Sequence, residues 1–201
     1  MRRFLLVVAT VIGTAFVANT ASAQVDTHHG FYASVGGGYG SQTTSFTFDG
    51  ESDGTESFME TTWYAQAGWG LKPKWAFGVE ANYLKGSCGF CSGEEHLTST
   101  FYTAAATYYP WATDNFFLKL NLGYATSNEE ISGEGSTTEG GFAGGIGFGY
   151  DWAIGKGGFI VKPFANYLTQ FSEAAYSGSL GDGEKGRVQM LQVGVGLGFK
   201  H

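Results

Sequence analysis

The sequence predicts an all-β chain closed into an eight-stranded antiparallel up-and-down transmembrane β-barrel. Three observations carry this expectation. Apolar residues alternate with polar or small ones at period two in eight separate segments, and no sustained 3.6-residue period appears after Gln24. The connections between segments alternate between short and long. Aromatic residues, 16% of the chain, gather beside the short turns and near the opposite segment ends.

Composition narrows the alternatives. The 201 residues are 43% hydrophobic and 14% charged, with 33 Gly, 3 Pro and 2 Cys. Eleven basic against eighteen acidic residues, a net charge of −7, argue against nucleic-acid binding, which needs a cationic footprint. Two cysteines cannot build a disulfide scaffold. The apolar and aromatic content argues against disorder. A mean hydropathy of −0.08 does not suit a bundle of membrane helices.

Residues 1–23 read as a cleaved export signal. Arg2 and Arg3 form a basic start, Phe4 to Val17 an apolar stretch, and Ala21-Ser22-Ala23 a small-residue cleavage site before Gln24, the order that secretory signals require. The barrel domain is expected over residues 24–201.

The segments follow in order. The first, Gly30 to Gly40, places Phe31, Ala33, Val35, Gly37 and Tyr39 on one face. The second, Met59 to Leu71, aligns Trp63, Ala65, Ala67, Trp69 and Leu71. The third, Trp75 to Lys85, aligns Phe77, Val79, Ala81 and Tyr83. The fourth, Leu97 to Tyr109, has no clear apolar face. In the fifth, Phe116, Leu118, Leu120, Leu122 and Tyr124 oppose Phe117, Lys119, Asn121 and Gly123. The sixth, Gly141 to Asp151, opposes Phe142, Ile146, Phe148 and Tyr150 to three glycines. The seventh, Gly158 to Thr169, is weakened by Pro163. The eighth, Val188 to Lys200, opposes Leu191, Val193, Val195, Leu197 and Phe199 to Gln192, Gly194, Gly196 and Gly198. Lys72-Pro73-Lys74, Pro110 to Asn115 and Trp152 to Gly157 are the short connections. Gly40 to Phe58, Gly86 to His96, Ser127 to Gly140 and Gln170 to Arg187 are the long ones, and they hold most of the acidic residues.

One aromatic girdle is expected from Phe31, Trp69, Trp75, Tyr108, Tyr109, Trp111, Phe116, Tyr150, Trp152, Phe159 and Phe199. Tyr39, Trp63, Tyr83, Tyr124, Phe142 and Tyr167 would form the other. Amphipathic rings favour the headgroup level of a bilayer. A soluble lipid-binding barrel would put its apolar face inward instead, and the glycine-rich opposite face would make a poor solvated exterior.

On Phe31 to Tyr39, Phe142-Ala143-Gly144-Gly145-Ile146-Gly147-Phe148-Gly149-Tyr150-Asp151 and Leu191 to Phe199, the chain resembles the outer-membrane β-barrel superfamily. The likeness is to the outer membrane protein A transmembrane-domain and outer membrane protein X types in particular. It implies a location in the bacterial outer membrane, contact with outer-membrane lipid and lipopolysaccharide, and a structural or surface-interaction role through acidic external loops, with a host surface ligand as a further partner. Barrels of this type usually close on an aromatic residue; here Phe199 is followed by Lys200 and His201.

The register turns Tyr64, Gln66, Glu80, Asn82, Lys119, Asn121, Lys162, Asn166, Gln189 and Gln192 inward. Glu80, Lys119 and Lys162 are expected to form a buried ion network, structural or a gate, because isolated buried charges are costly. It resembles the charged plug of the outer membrane protein A barrel. The inward glycines leave room on one wall, which suggests a narrow pore as the second reading unless large side chains fill it. Cys88-Gly89-Phe90-Cys91 reads as a loop disulfide in an oxidising compartment. Asp49, Glu51, Asp53 and Glu60 approach the spacing of a calcium loop, against the plainer reading of a solvated acidic loop. His28, His29, His96 and His201 have no nucleophile or acid beside them on a strand, so no enzyme activity and no cofactor are expected.

Overall fold

The computed structural model describes residues 29–48, 51–87, 96–111, 115–131, 135–155, 157–171, 174–175 and 184–201. The strands are β1 (Gly30–Phe48), β2 (Glu51–Lys72), β3 (Trp75–Ser87), β4 (His96–Tyr108), β5 (Phe116–Ile131), β6 (Gly135–Tyr150), β7 (Trp152–Ile154), β8 (Phe159–Gln170), β9 (Ala174–Ala175) and β10 (Glu184–Lys200). Every pairing is antiparallel, and β10 pairs with both β8 and β1, which closes the ring.

The barrel has eight staves, as the periodicity predicts, because β7 continues β6. Gly149 lies opposite Phe164 and Trp152 opposite Val161, on one register along β8. The break falls opposite Lys162 and Pro163, where Pro163 has no N–H to give to the ladder. Asp151 turns its own N–H to the Asn115 carbonyl instead (3.0 Å). The turn after β7 uses Gly155 and Gly158 at φ of 65° and 77°. At Gly158 a Cβ would also strike the Lys200 carbonyl, so the residue must be glycine on both counts.

Strands reach further than apolar alternation indicates. β1 runs to Phe48 and β2 starts at Glu51, so most of the expected long connection Gly40 to Phe58 is a hairpin. β5 and β6 likewise extend to Ile131 and from Gly135. These extensions are rich in Thr and Ser. β-branched residues favour strands without a buried apolar face, so the ladder continues where the apolar signal stops.

Period two sets the two faces. Phe31 to Tyr39, Phe116 to Tyr124 and Leu191 to Phe199 each put five apolar or small residues outward over nine residues, a length suited to a tilted membrane strand. Val35, Val79, Leu122 and Leu197 are 63–66% exposed. Among the described residues no charged side chain points outward between the two aromatic bands. Phe31 packs on Trp69, Trp75 on Phe77 and Tyr108, and Phe159 on Phe199 at the short-turn end; Tyr124 packs on Phe142 at the other. Tyr109 departs from the expected girdle: it is 2% exposed and points into the barrel. Gln189 also departs, facing out beside the Tyr167 hydroxyl, which donates to its Oε1 (3.1 Å). It shares the parity of Leu191, not of Gln192.

Candidate functional site

The lumen is filled in layers. Toward the short turns lie Tyr32, Tyr64, Ala76, Tyr109, Phe117 and Phe164; toward the long connections lie Leu84, Phe101, Ala125, Ala143, Leu168, Val188 and Met190. Between them lie polar residues of β3, β4, β5, β8 and β10, whereas β6 contributes only glycines there. β3 reads Ala76, then Glu80 and Asn82, then Leu84; β5 reads Phe117, then Lys119 and Asn121, then Ala125; β8 reads Phe164, Asn166, Leu168. All of these polar side chains are buried.

Glu80 is the centre of that layer. Its Oε2 accepts from Lys119 Nζ (2.5 Å), and its Oε1 accepts from Asn82 Nδ2 (2.8 Å) and Asn121 Nδ2 (3.1 Å). Three donors, one of them charged, satisfy a carboxylate that has left water. Beside it Gln192 donates to Thr62 (2.9 Å) and accepts from Asn166 (3.1 Å).

Lys162 does not join Glu80. Its ammonium donates to Gln66 Oε1 (3.1 Å), lies 3.5 Å from Asp151 Oδ1, and stands over the rings of Phe117 and Tyr32. The expected three-residue network is therefore two centres. In the second, Asp151 Oδ2 accepts from Lys200 Nζ (2.5 Å) and from the Tyr109 hydroxyl (2.7 Å), and Lys200 also donates to that hydroxyl (3.1 Å). Sequence reading passed over Asp151, Lys200 and Tyr109 as site residues. The signal was available: Asp151 continues the parity of Gly145, Gly147 and Gly149, and Lys200 that of Gly194, Gly196 and Gly198.

The glycine wall is covered by side chains of nearby staves: Phe117 and Phe164 are the register partners of Gly149 and Gly194, and Tyr64 reaches Gly196 from two staves away. A Cβ on Gly196 would lie 2.0 Å from the Tyr64 hydroxyl; on Gly194, 2.8 Å from the Phe164 ring; on Gly149, 2.5 Å from the Phe117 ring. Gly68 and Gly78 receive the Tyr32 hydroxyl in the same way. Glycine here makes room for aromatic side chains, not for a crevice.

The remaining candidates fall outside this site. Cys88, Cys91, His28 and Asp49 lie outside the described residues. Glu51 and Glu60 are nine residues apart along one strand, β2, and at ~3.3 Å per residue that is about 30 Å of extended chain. A calcium sphere gathers its ligands within 2.3–2.6 Å of one ion, so a site at this hairpin would draw on Asp49, Glu51 and Asp53 rather than on Glu60. Among the described residues no three His, Cys, Asp or Glu side chains converge.

Against known proteins, no family description and no curated sequence matches this chain. Solved structures do. The crystal structure of Neisserial surface protein A is similar at a TM-score of 0.58 and 14% identity, covering 85% of this chain and 97% of that one. The outer membrane protein OprG from Pseudomonas aeruginosa is similar at 0.51 and 18%, covering 88% and 100%. The fold of this chain is that of the small outer-membrane β-barrels.

Proposed function

We propose that the chain is exported with removal of residues 1–23, inserts in the bacterial outer membrane, and serves there as a sealed scaffold. It presents its long, acid-rich connections to outer-membrane lipid, lipopolysaccharide and a host surface ligand; its role is structural or interactive, with no enzyme chemistry and no cofactor. One observation carries this reading. Among the described residues the exterior is an uncharged apolar band between two rows of aromatics, while the interior is packed with apolar clusters and paired charges. A closed barrel satisfies every strand within lipid, and a filled lumen leaves the loops as the part that meets other molecules. Against the pore reading stand Tyr32, Tyr64, Phe117 and Phe164, which occupy the space that the glycines leave.

The test is single-channel recording of the refolded mature protein in a planar bilayer, with insertion checked by a heat-dependent gel shift. The expected result is silence. Reproducible conductance steps altered by Glu80→Ala or Lys119→Ala would overturn the sealed scaffold in favour of a narrow pore. N-terminal sequencing of the membrane-inserted protein is expected to start at Gln24. Free-thiol labelling without reductant is expected to miss Cys88 and Cys91.

A further inference from the structure

The lipid-facing surface is uneven. On β5 and β6 it is built of Leu120, Leu122, Ile146 and Phe148, all strongly exposed. Around β1 to β3 the same depth is built of small residues. Ala33 pairs with Ala67, which pairs with Val79; Ala65 pairs with Ala81. Phe199 on β10 and Tyr102 on β4 stand at the two sides. The result is an apolar groove of about 1090 Å³ on the outside of the barrel. At the short-turn end of the same two strands the β2–β3 turn carries Lys72 and Lys74, both exposed. Lys74 Nζ donates to the Pro110 carbonyl (3.1 Å), and an ammonium keeps two further N–H donors. Among the described residues this rim has no exposed carboxylate, whereas the opposite end leads into the acid-rich connections.

We infer that this groove and rim together bind one anionic glycerophospholipid of the leaflet at the short-turn end. Its phosphate sits at Lys72 and Lys74 and one acyl chain lies in the alanine groove. The geometry fits a lipid of that leaflet. Lys72 to Ala67 is five residues, about 17 Å of strand, close to half of a hydrocarbon core ~30 Å thick. A chain whose headgroup is at the lysines therefore reaches the groove with its far half. A chain from the other leaflet would have its headgroup among like charges. The inference rests on the membrane-barrel reading above.

The test is native mass spectrometry of the refolded barrel released from micelles doped with equal amounts of phosphatidylglycerol and phosphatidylcholine. One retained phosphatidylglycerol is expected. Lys72→Gln with Lys74→Gln is expected to lower its retention about 30-fold, the effect of two surface lysines on an anionic lipid. Ala67→Leu with Ala81→Leu, which fills the groove on a face where added bulk meets only lipid, is expected to lower it as well. Lys85→Gln, an exposed lysine at the other end of β3, is expected to leave it unchanged. Equal retention of the two lipids, survival of the preference in either double variant, or its loss in Lys85→Gln would each overturn the site. A barrel that refolds, shown by the gel shift, yet has no lipid preference refutes the site alone. Failure of the wild-type chain to refold in micelles at all would refute the membrane reading beneath it.

Discussion

Glu80 draws its donors from β3 and β5, two staves separated only by β4, while Asp151 gathers Tyr109 from the end of β4, Lys162 from β8 and Lys200 from β10. Both carboxylates are buried and both are paired. They differ in what the pairing spans. The Glu80 centre is compact and lies deep between the apolar layers, with side chains of the ion pair 4% and 0% exposed. The Asp151 centre reaches across more of the ring and includes the last stave, which closes the seam with β1; its Lys200 is nearer the mouth, at 8%. A deep charge depends wholly on its partners. A charge at a mouth has water as a second recourse.

The largest expected effect comes from breaking the deep centre. Glu80→Gln leaves Lys119 without a counter-charge inside the barrel and is expected to cost about 3–5 kcal/mol in urea unfolding from micelles. Adding Lys119→Met is expected to recover most of that, because removing both partners leaves no stranded charge. No recovery would mean that the position needs the carboxylate for packing, not for pairing. Asp151→Asn is the matching break at the mouth. It replaces the counter-charge of Lys200 and Lys162 with a neutral amide whose one oxygen can still accept, and is expected to cost about 1.5–3 kcal/mol, the range for a hydrogen bond to a charged group. Its hydrogen exchange is expected to rise along β10 and β1, which the Glu80 variant should leave protected relative to its own centre. An equal cost at the two sites, with the same exchange pattern, would erase the distinction between them.

A packing change lies below these. Gly196→Ala drives a methyl into the Tyr64 hydroxyl and is expected to cost about 1–3 kcal/mol as overpacking. Trimming Tyr64 to Leu in the same chain is expected to relieve part of it, which separates a steric clash from a backbone effect at the glycine.

The stave pattern and the Glu80–Lys119 pair were legible because both rest on parity within mid-strand segments, where one face must be apolar. Asp151, Lys200 and Tyr109 were not, because they sit where strands end and turn preferences blur the period. Tyr109 is one residue past β4, and by composition alone it belongs with the girdle aromatics. Lys162 was placed inside correctly but given the wrong partner: parity fixes the side of the wall, and only the closed ring fixes what stands across from it. The glycines show the same limit. Gly194 and Gly196 face in by sequence, yet what fills them depends on pairing: Phe164 is the register partner of Gly194 on β8, and Tyr64 reaches Gly196 across the β10–β1 seam. The strand extensions were missed for a different reason: Thr- and Ser-rich ladders outside the apolar band have no apolar alternation to read.

The smallest expected effect belongs to Lys162, and it sharpens the comparison most. Among the described residues three lysines, Lys119, Lys162 and Lys200, are ion-paired in the lumen with two carboxylates, Glu80 and Asp151. Lys119 and Lys200 each approach a carboxylate oxygen at 2.5 Å, whereas Lys162 stays at 3.5 Å and leans on Gln66 and two aromatic faces. Its attraction must offset the desolvation of a whole ammonium, and at that distance the offset is close to even. Lys162→Met keeps the stem volume, leaves Asp151 paired with Lys200, and brings the buried charges into balance. A change of about 0–1 kcal/mol is expected, since an apolar replacement of a buried ion is often neutral or stabilising. A loss as large as that of Glu80→Gln would mean that Lys162 bridges the two carboxylates, and that the lumen holds one network after all.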